Sequence, residues 1–354
     1  MAAVNLIRSE LLELKGYSSD HYDSVADKLD ANEVAIDLPL SLKQKLGIEL
    51  TERLLANRYP DGMYDNLKEQ ISQYAGVSRD CISVGNGSDE LIRSVLIASC
   101  LGRGGILVAL PTFSMYGILA QALAIPVYSL GRREVDFTID LAQAQKTIEQ
   151  ENINVVFVVH PNSPTGNLLT APEIAWLSSL PSDILVVIDE AYYEFAGHSL
   201  VDELPRHPNW LILRTFSKAF RLAAFRLGYA IASPELIAVL EKIRLPYNLP
   251  TITTIAGELA LKYRSDILSI IPQIQQEREK LWQILDRLPP LKVWRSDANF
   301  IYFRSPNDRL LQQQLAEQGT LIRLTGGGLR VTIGTPEQNR RTIERISSSL
   351  AKLT

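Results

Sequence analysis

Four apolar runs in this chain are each followed at once by side chains that can do chemistry. Residues 106–110 lead into Pro111-Thr112-Phe113, and residues 155–159 into His160-Pro161-Asn162-Ser163-Pro164-Thr165-Gly166-Asn167. Residues 184–188 lead into Asp189-Glu190-Ala191-Tyr192, and residues 211–213 into Arg214-Thr215-Phe216-Ser217-Lys218. Ligands of an open parallel sheet bind beyond the carboxyl ends of its strands. If the four runs are such strands, one site receives an aromatic ring, an amide, a carboxylate, a phenol, two hydroxyls and an amine. Each has an ordinary explanation alone: Asn162 forms a turn, Asp189 caps, Phe113 fills a core. Four sets at four successive strand ends do not share one.

Most lysines of a globular protein are solvated. Lys218 stands instead in the loop between Leu211-Ile212-Leu213 and Leu227-Gly228-Tyr229-Ala230-Ile231-Ala232, which read as buried strands. In a partly desolvated site beside cations a lysine amine is released from its proton and can form a Schiff base. An anion site is also visible. Ser83-Val84-Gly85-Asn86-Gly87-Ser88-Asp89-Glu90 passes through glycines into a helical stretch, so backbone N–H groups and the Ser88 hydroxyl meet at a helix N-terminus. Such a turn is as often only a turn, and it lacks the Gly-Lys-Ser/Thr ending of a nucleotide P-loop. Arg226 offers the fork that a phosphate favours.

The β-branched runs 106–110, 155–159, 184–188, 211–213 and 229–232 alternate with helical patterns, which predicts an α/β fold whose mostly parallel sheet is covered by helices on both faces. After Pro289-Pro290, strand-like residues 299–303, helix-like residues 308–318, the run 329–333 and a last helix predict a smaller α+β unit. A chain of 354 residues, 46% of them hydrophobic, can bury the cores of both. Its formal charge of −4, with no basic cluster, gives no support to a nucleic-acid partner. Cys81 and Cys100, the only cysteines, lack ligand-like spacing and fit a reducing compartment. No run reaches the length of a membrane span, and the first 17 residues lack a signal peptide's apolar core. A cytoplasmic protein without a metal site is the expectation.

Together the motifs resemble those of the fold-type I pyridoxal-phosphate enzymes, aminotransferase class I/II. Ser217-Lys218-Ala219-Phe220 with Arg226-Leu227-Gly228 is similar to the pattern around that family's Schiff-base lysine. Residues 160–167 are similar to its Pro-Asn-x-Pro-Thr-Gly loop, and Asp189-Glu190-Ala191-Tyr192 to its strand-end carboxylate and phenol. The resemblance implies that Lys218 bonds pyridoxal 5'-phosphate and shuttles the reaction's proton. It implies Asp189 at the pyridine nitrogen, Tyr192 and Asn162 at the ring's phenolic oxygen, and Phe113 stacked on the ring. Ser88, the backbone at Asp89, Thr215, Ser217 and Arg226 are implied to hold the phosphate, with Tyr59 reaching in from the neighbouring subunit of a homodimer.

The small-molecule substrates follow from the same resemblance. Arg330 is implied to pair with the substrate carboxylate, and Arg323 and Tyr17 to bind a distal anion. Asn32 and Glu33 are implied to lie in a segment that closes over the substrate. Leu29-Asp30-Ala31-Asn32-Glu33, Arg58-Tyr59-Pro60-Asp61-Gly62, Pro111-Thr112-Phe113-Ser114-Met115-Tyr116 and Gly328-Leu329-Arg330-Val331-Thr332-Ile333-Gly334 resemble one branch of the family. In that branch L-histidinol phosphate gives its amino group to 2-oxoglutarate, and Arg330 meets the phosphate first and the acceptor's carboxylate next. The chain departs from it at Val34-Ala35 and at Ser18-Ser19-Asp20, both in the closing segment. The expected division is an arm at 1–35, a large cofactor-binding domain at 36–250, a helical link at 251–288 and a small domain at 289–354. The same scaffold also serves phosphothreonine decarboxylation, aromatic amino acid transamination and non-catalytic regulators.

Overall fold

The apolar runs assemble into one large sheet in the computed structural model, which describes residues 6–14, 16 and 27–351. A short strand, β1 (Asp27–Lys28), precedes those of the large sheet: β2 (Ile82–Asn86), β3 (Gly105–Leu110), β4 (Val127–Gly131), β5 (Ile153–Val159), β6 (Leu185–Asp189), β7 (Trp210–Thr215) and β8 (Leu227–Ala232). Their order across the sheet is β2-β8-β7-β6-β5-β3-β4. Adjacent strands are parallel except that β8 runs antiparallel to both β2 and β7. The predicted mostly parallel sheet is present, with one reversal that the apolar pattern did not reveal.

Strands covered on both faces read as unbroken apolar runs because both sides of the pleat are buried. In β5, Val156 and Val158 enter a first layer with helices Leu40–Arg53, Asp65–Ala75, Ala171–Ser179 and Thr251–Lys262. Val155, Phe157 and Val159 enter a second layer with helices Gly87–Ser99, Met115–Ala122 and Pro234–Ile243. β6 and β7 alternate in step: Ile188 and Ile212 lie in the first layer, Val187 and Leu213 in the second. The alternation therefore puts Asp189 and Thr215 on the second-layer side, and Glu190 and Arg214 on the first.

The reversal at β8 is what gathers the loop residues. The chain leaves β7 at the carboxyl edge, makes the loop 216–226 and returns down β8, so Lys218 and Arg226 both stay at that edge. β2 ends beside them at Asn86, and Gly87, with φ +71°, turns the chain into the next helix. A Cβ at Gly228 would stand 2.6 Å from Ser88 N, so only glycine admits this close approach of β8 to the helix start.

The second sheet follows as expected from the sequence after Pro290. This part of the chain holds β9 (Lys292–Val293), β10 (Phe300–Arg304), then β11 (Thr320–Leu321), β12 (Arg323–Thr325) and β13 (Gly328–Thr332). Four of these form an antiparallel sheet in the order β12-β13-β10-β9, while β11 pairs in parallel with β1. Helices Ile271–Leu285, Asp308–Glu317 and Pro336–Leu350 cover it, with Phe300, Phe303, Leu311, Val331 and Ile346 at the core. β1 is locked on by Asp27, whose carboxylate accepts Arg341 Nη2 at 2.6 Å and Arg345 Nη1 at 2.8 Å. These guanidiniums, Arg341 foremost, hold the Asp27 carboxyl below the usual carboxylate range. No described helix is long and apolar enough to cross a membrane.

Candidate active site

Two adjoining cavities open at the carboxyl edge of the large sheet. The deeper, of about 130 Å³, is lined by Ser88, Asp89, Phe113, Asp189, Tyr192, Thr215, Ser217, Lys218 and Arg226, together with Ser163. At its floor Asp189 is 3% exposed. Its carboxylate accepts Tyr116 Oη at 2.7 Å and Ala191 N at 3.0 Å, and no cation pairs with it among the described residues. Burial pushes the carboxyl up to about 6, against the two hydrogen bonds. A buried carboxylate with only neutral donors has room for one cationic N–H. Opposite it, Lys218 Nζ donates to Ala31 O at 2.8 Å and stands 5.7 Å from the centre of the Tyr192 ring. Tyr192 Oη accepts Asn32 Nδ2 at 2.9 Å, which leaves the phenol proton free to donate into the cavity.

The other end of this cavity is an anion cup. Helix Gly87–Ser99 starts there, directing its first N–H groups inward. Arg226, in the left-handed region at φ 51°, places Nη1 at 3.3 Å from Ser217 Oγ and Nη2 at 3.5 Å from Asp89 Oδ2. Thr215 Oγ1 accepts Ser217 N at 3.1 Å and so shapes the turn that carries Lys218.

The second cavity, of about 90 Å³, has walls from both sheets: Phe113, Ser163, Tyr192 and Lys218 on one side, Arg323, Thr325 and Arg330 on the other. Arg323 and Arg330 are directly opposite each other in the β12–β13 ladder. Like charges so placed repel, and an anion between them removes the penalty. Arg330 is aimed by Ser163 Oγ, which accepts its Nη1 at 3.0 Å, and by Asp30 O, which accepts its Nη2 at 2.7 Å. The turn between these strands rests on the large sheet: a Cβ at Gly326, φ +61°, would meet Pro111 Cβ at 2.7 Å and Pro164 Cγ at 2.9 Å.

The family model for aminotransferase class I and II matches residues 28–346. The chain belongs to that family. It is 53% identical to the histidinol-phosphate aminotransferase of Trichodesmium erythraeum, over 96% of this chain and 98% of that one. The histidinol-phosphate aminotransferase of a Synechococcus strain is 51% identical, covering 99% of this chain and 100% of its own. Among solved structures, histidinol-phosphate aminotransferase from Sinorhizobium meliloti, in complex with pyridoxal 5'-phosphate, superposes with a TM-score of 0.84 at 22% identity, covering 94% of this chain and 92% of that one. At that identity the superposition speaks to the fold.

Within this aminotransferase the structure brings Ser88, Asp89, Phe113, Asp189, Tyr192, Thr215, Ser217, Lys218, Arg226, Arg323 and Arg330 to the two cavities. It moves three expected contacts elsewhere. Asn162 lines neither cavity: it is wholly buried, donates to Pro111 O and Thr165 Oγ1, and accepts Thr112 Oγ1 and Arg132 Nη2. With two donors and two acceptor positions used, its amide has nothing left for a ligand. Ser163, the next residue, takes the place in both cavities expected of Asn162. Asn32 is also fully buried, tied to Tyr192 and to Thr332 Oγ1, and lines neither cavity. Glu33 turns its carboxylate to Lys28 Nζ, 2.5 Å away, and the carbonyl of Ala31 is what this segment offers the site. Tyr17 lies outside the described residues. Tyr59 is 80% exposed and stacks on Tyr247, away from both cavities of its own chain. Tyr116 was missed by sequence reasoning, because a buried tyrosine in an apolar helix reads as core; its signal is its place three residues after Phe113.

Proposed function

We propose that this aminotransferase moves the amino group of L-histidinol phosphate to 2-oxoglutarate, with pyridoxal 5'-phosphate as its cofactor. The observation that carries the reading is the opposed Arg323–Arg330 pair beside a lysine amine: a two-arginine pocket suits a phosphate on the donor and a carboxylate on the acceptor. The names of relatives at about half identity support it. The donor set also fits the cofactor, since a cup of hydroxyls, helix N–H groups and Arg226 suits its phosphate, and unpaired Asp189 suits a protonated ring nitrogen.

When bound, the cofactor supplies an electron sink for the charge left on the donor's carbon. Asp189 keeps the ring nitrogen protonated, with Tyr116 holding the carboxylate in line. Tyr192 and Ser163 offer hydroxyl protons to the ring oxygen, and Phe113 walls one side. Lys218 Nζ is placed to take the proton from the donor's carbon and to return it on the far side of the transferred nitrogen. Arg330, steadied by Ser163 and Asp30, holds the distal phosphate or the acceptor's carboxylate with Arg323.

The test is the visible absorption band of the cofactor-loaded protein. L-histidinol phosphate without a keto acid is expected to discharge the band, and 2-oxoglutarate to restore it. A band that ignores histidinol phosphate and answers to phosphothreonine or an aromatic amino acid overturns the donor.

We also assign the exposed apolar set Leu40, Ile48, Leu55, Tyr59, Met63 and Tyr247 to contact with a second copy of the chain. The arm and the smaller sheet form the side that closes on substrate, on the division 1–35, 36–250, 251–288 and 289–354. Free Cys81 and Cys100 accord with a cytoplasmic setting. Tyr59→Phe is expected to leave a dimer that loses cofactor faster, by about tenfold, the scale of one charge-assisted hydrogen bond. Unchanged release during gel filtration would remove Tyr59 from the partner's phosphate.

A further inference from the structure

The face of the sheet away from the ring cavity carries a buried polar cluster that transamination does not use. Its centre is Glu190, 0% exposed, and Arg214, 2% exposed. Arg214 Nε donates to Glu190 Oε2 at 2.9 Å, and its Nη2 donates to Ser199 Oγ at 2.7 Å. Glu190 Oε1 accepts Leu200 N at 2.6 Å. The guanidinium lies 3.8 Å from the centre of the Tyr193 ring, and Tyr193 Oη donates to Tyr74 Oη at 2.7 Å.

Stability does not account for such a pair. Two buried charges lose in desolvation about what they regain, and apolar replacements of both are often neutral or stabilising. Connectivity gives a better account. Glu190 follows Asp189, Arg214 precedes Thr215, and Tyr193 follows Tyr192, so these three cluster members are each the chain neighbour of a cavity residue. The cavity and the cluster are thus two sides of the same three backbone stretches. The β6–β7 ladder ends at Asp189 opposite Leu213, with Glu190 N donating to Leu213 O at 2.8 Å. Beyond that point the ion pair ties the two strand ends together, with Ser199 Oγ bridging the same two side chains.

We propose that the Glu190–Arg214 pair is a positioning element that fixes the end of β6 against the end of β7, and so sets Asp189 against the Thr215–Lys218 segment. This deepens the function proposed above and rests on it.

The double variant Glu190→Leu/Arg214→Met, loaded with cofactor, removes both charges and leaves neither unpaired. It is expected to unfold cooperatively near the parent's thermal midpoint. Its kcat is expected to fall by about tenfold or more with KM changed by less than about threefold, as misplacement of reacting groups requires. The pH midpoint of its visible band is expected to shift. A folded double variant with the parent's kcat and pH midpoint overturns the proposal. Should that protein not fold, Arg214→Lys keeps the charge but not the fork that spans Glu190 and Ser199. A partial loss of kcat with a shifted pH midpoint is then expected, and parental values overturn the proposal. The parent run alongside reports on the reaction itself: a parent that no amino donor discharges sinks the proposed function, whereas only the difference between parent and variant speaks to the ion pair.

Discussion

Lys218→Ala is expected to yield a folded protein that still holds the cofactor without a covalent bond and turns over nothing measurable. Positioned proton transfer alone is worth about 10²–10⁴-fold, and Lys218 also supplies the bonding amine, so the rate should drop by about 10⁴-fold or more. The phosphate cup survives because Thr215, Ser217 and Arg226 are held by their own contacts and Ser88 by its helix, none of them through Nζ. The fold survives because the lost side chain is only half-buried and its one hydrogen bond goes to the Ala31 carbonyl. Rates, thermal unfolding and the cofactor-to-protein ratio after gel filtration check this. An active Lys218→Ala protein, or one emptied of cofactor, contradicts the assignment.

Replacing Asp189 by asparagine is expected to pull stability and activity in opposite directions. The carboxyl is raised from 3.8 to about 6 by burial, so the folded form binds its proton more tightly than the unfolded chain does. Its contribution to stability is therefore fully present below about pH 4 and is lost as pH rises through about 6. Above that the uncompensated charge costs the cofactor-free protein about 2–3 kcal/mol. Asp189→Asn should match the parent below about pH 4 and exceed its stability by that amount at neutral pH. The loaded variant should be slower by about 10²–10³-fold, the scale of losing one preorganised electrostatic partner. Denaturant titrations of cofactor-free protein and initial rates of loaded protein measure both. A near-parental rate would remove Asp189 from the ring nitrogen, and equal stability at neutral pH would mean that the carboxylate is not strained by burial.

Much of the site was legible because buried parallel strands are short apolar runs, and the ends of such runs can be read straight off the chain. That is why Asp189, Thr215, Ser217 and Lys218 could be expected to line one cavity, as they do. The direction of β8 was not legible, since a run buried on both faces reads the same either way. Asn162 and Ser163 are consecutive polar residues in a turn, where no period says which points inward. The order of hydrogen-bond satisfaction decided it: an amide has four positions to fill inside the loop, whereas a hydroxyl can face a cavity with fewer. The directions of the Asn32 and Glu33 side chains were not legible for a related reason. The segment is pinned by backbone contacts, Thr332 N to Leu29 O at 2.9 Å and Asn32 N to Thr332 Oγ1 at 3.0 Å, which sequence does not display.

The Gly326 turn resting on Pro111 and Pro164 acts as a spacer. Arg323 and Arg330 belong to one sheet and Lys218 to the other, and the Gly326 turn is where the first sheet meets the loops of the second. The distance between the anion-gripping fork and the amine is therefore set where one glycine rests on two prolines, a point that touches neither the lysine nor the arginines. A side chain at position 326 would act there as a wedge, tilting one sheet from the other and moving both arginines together.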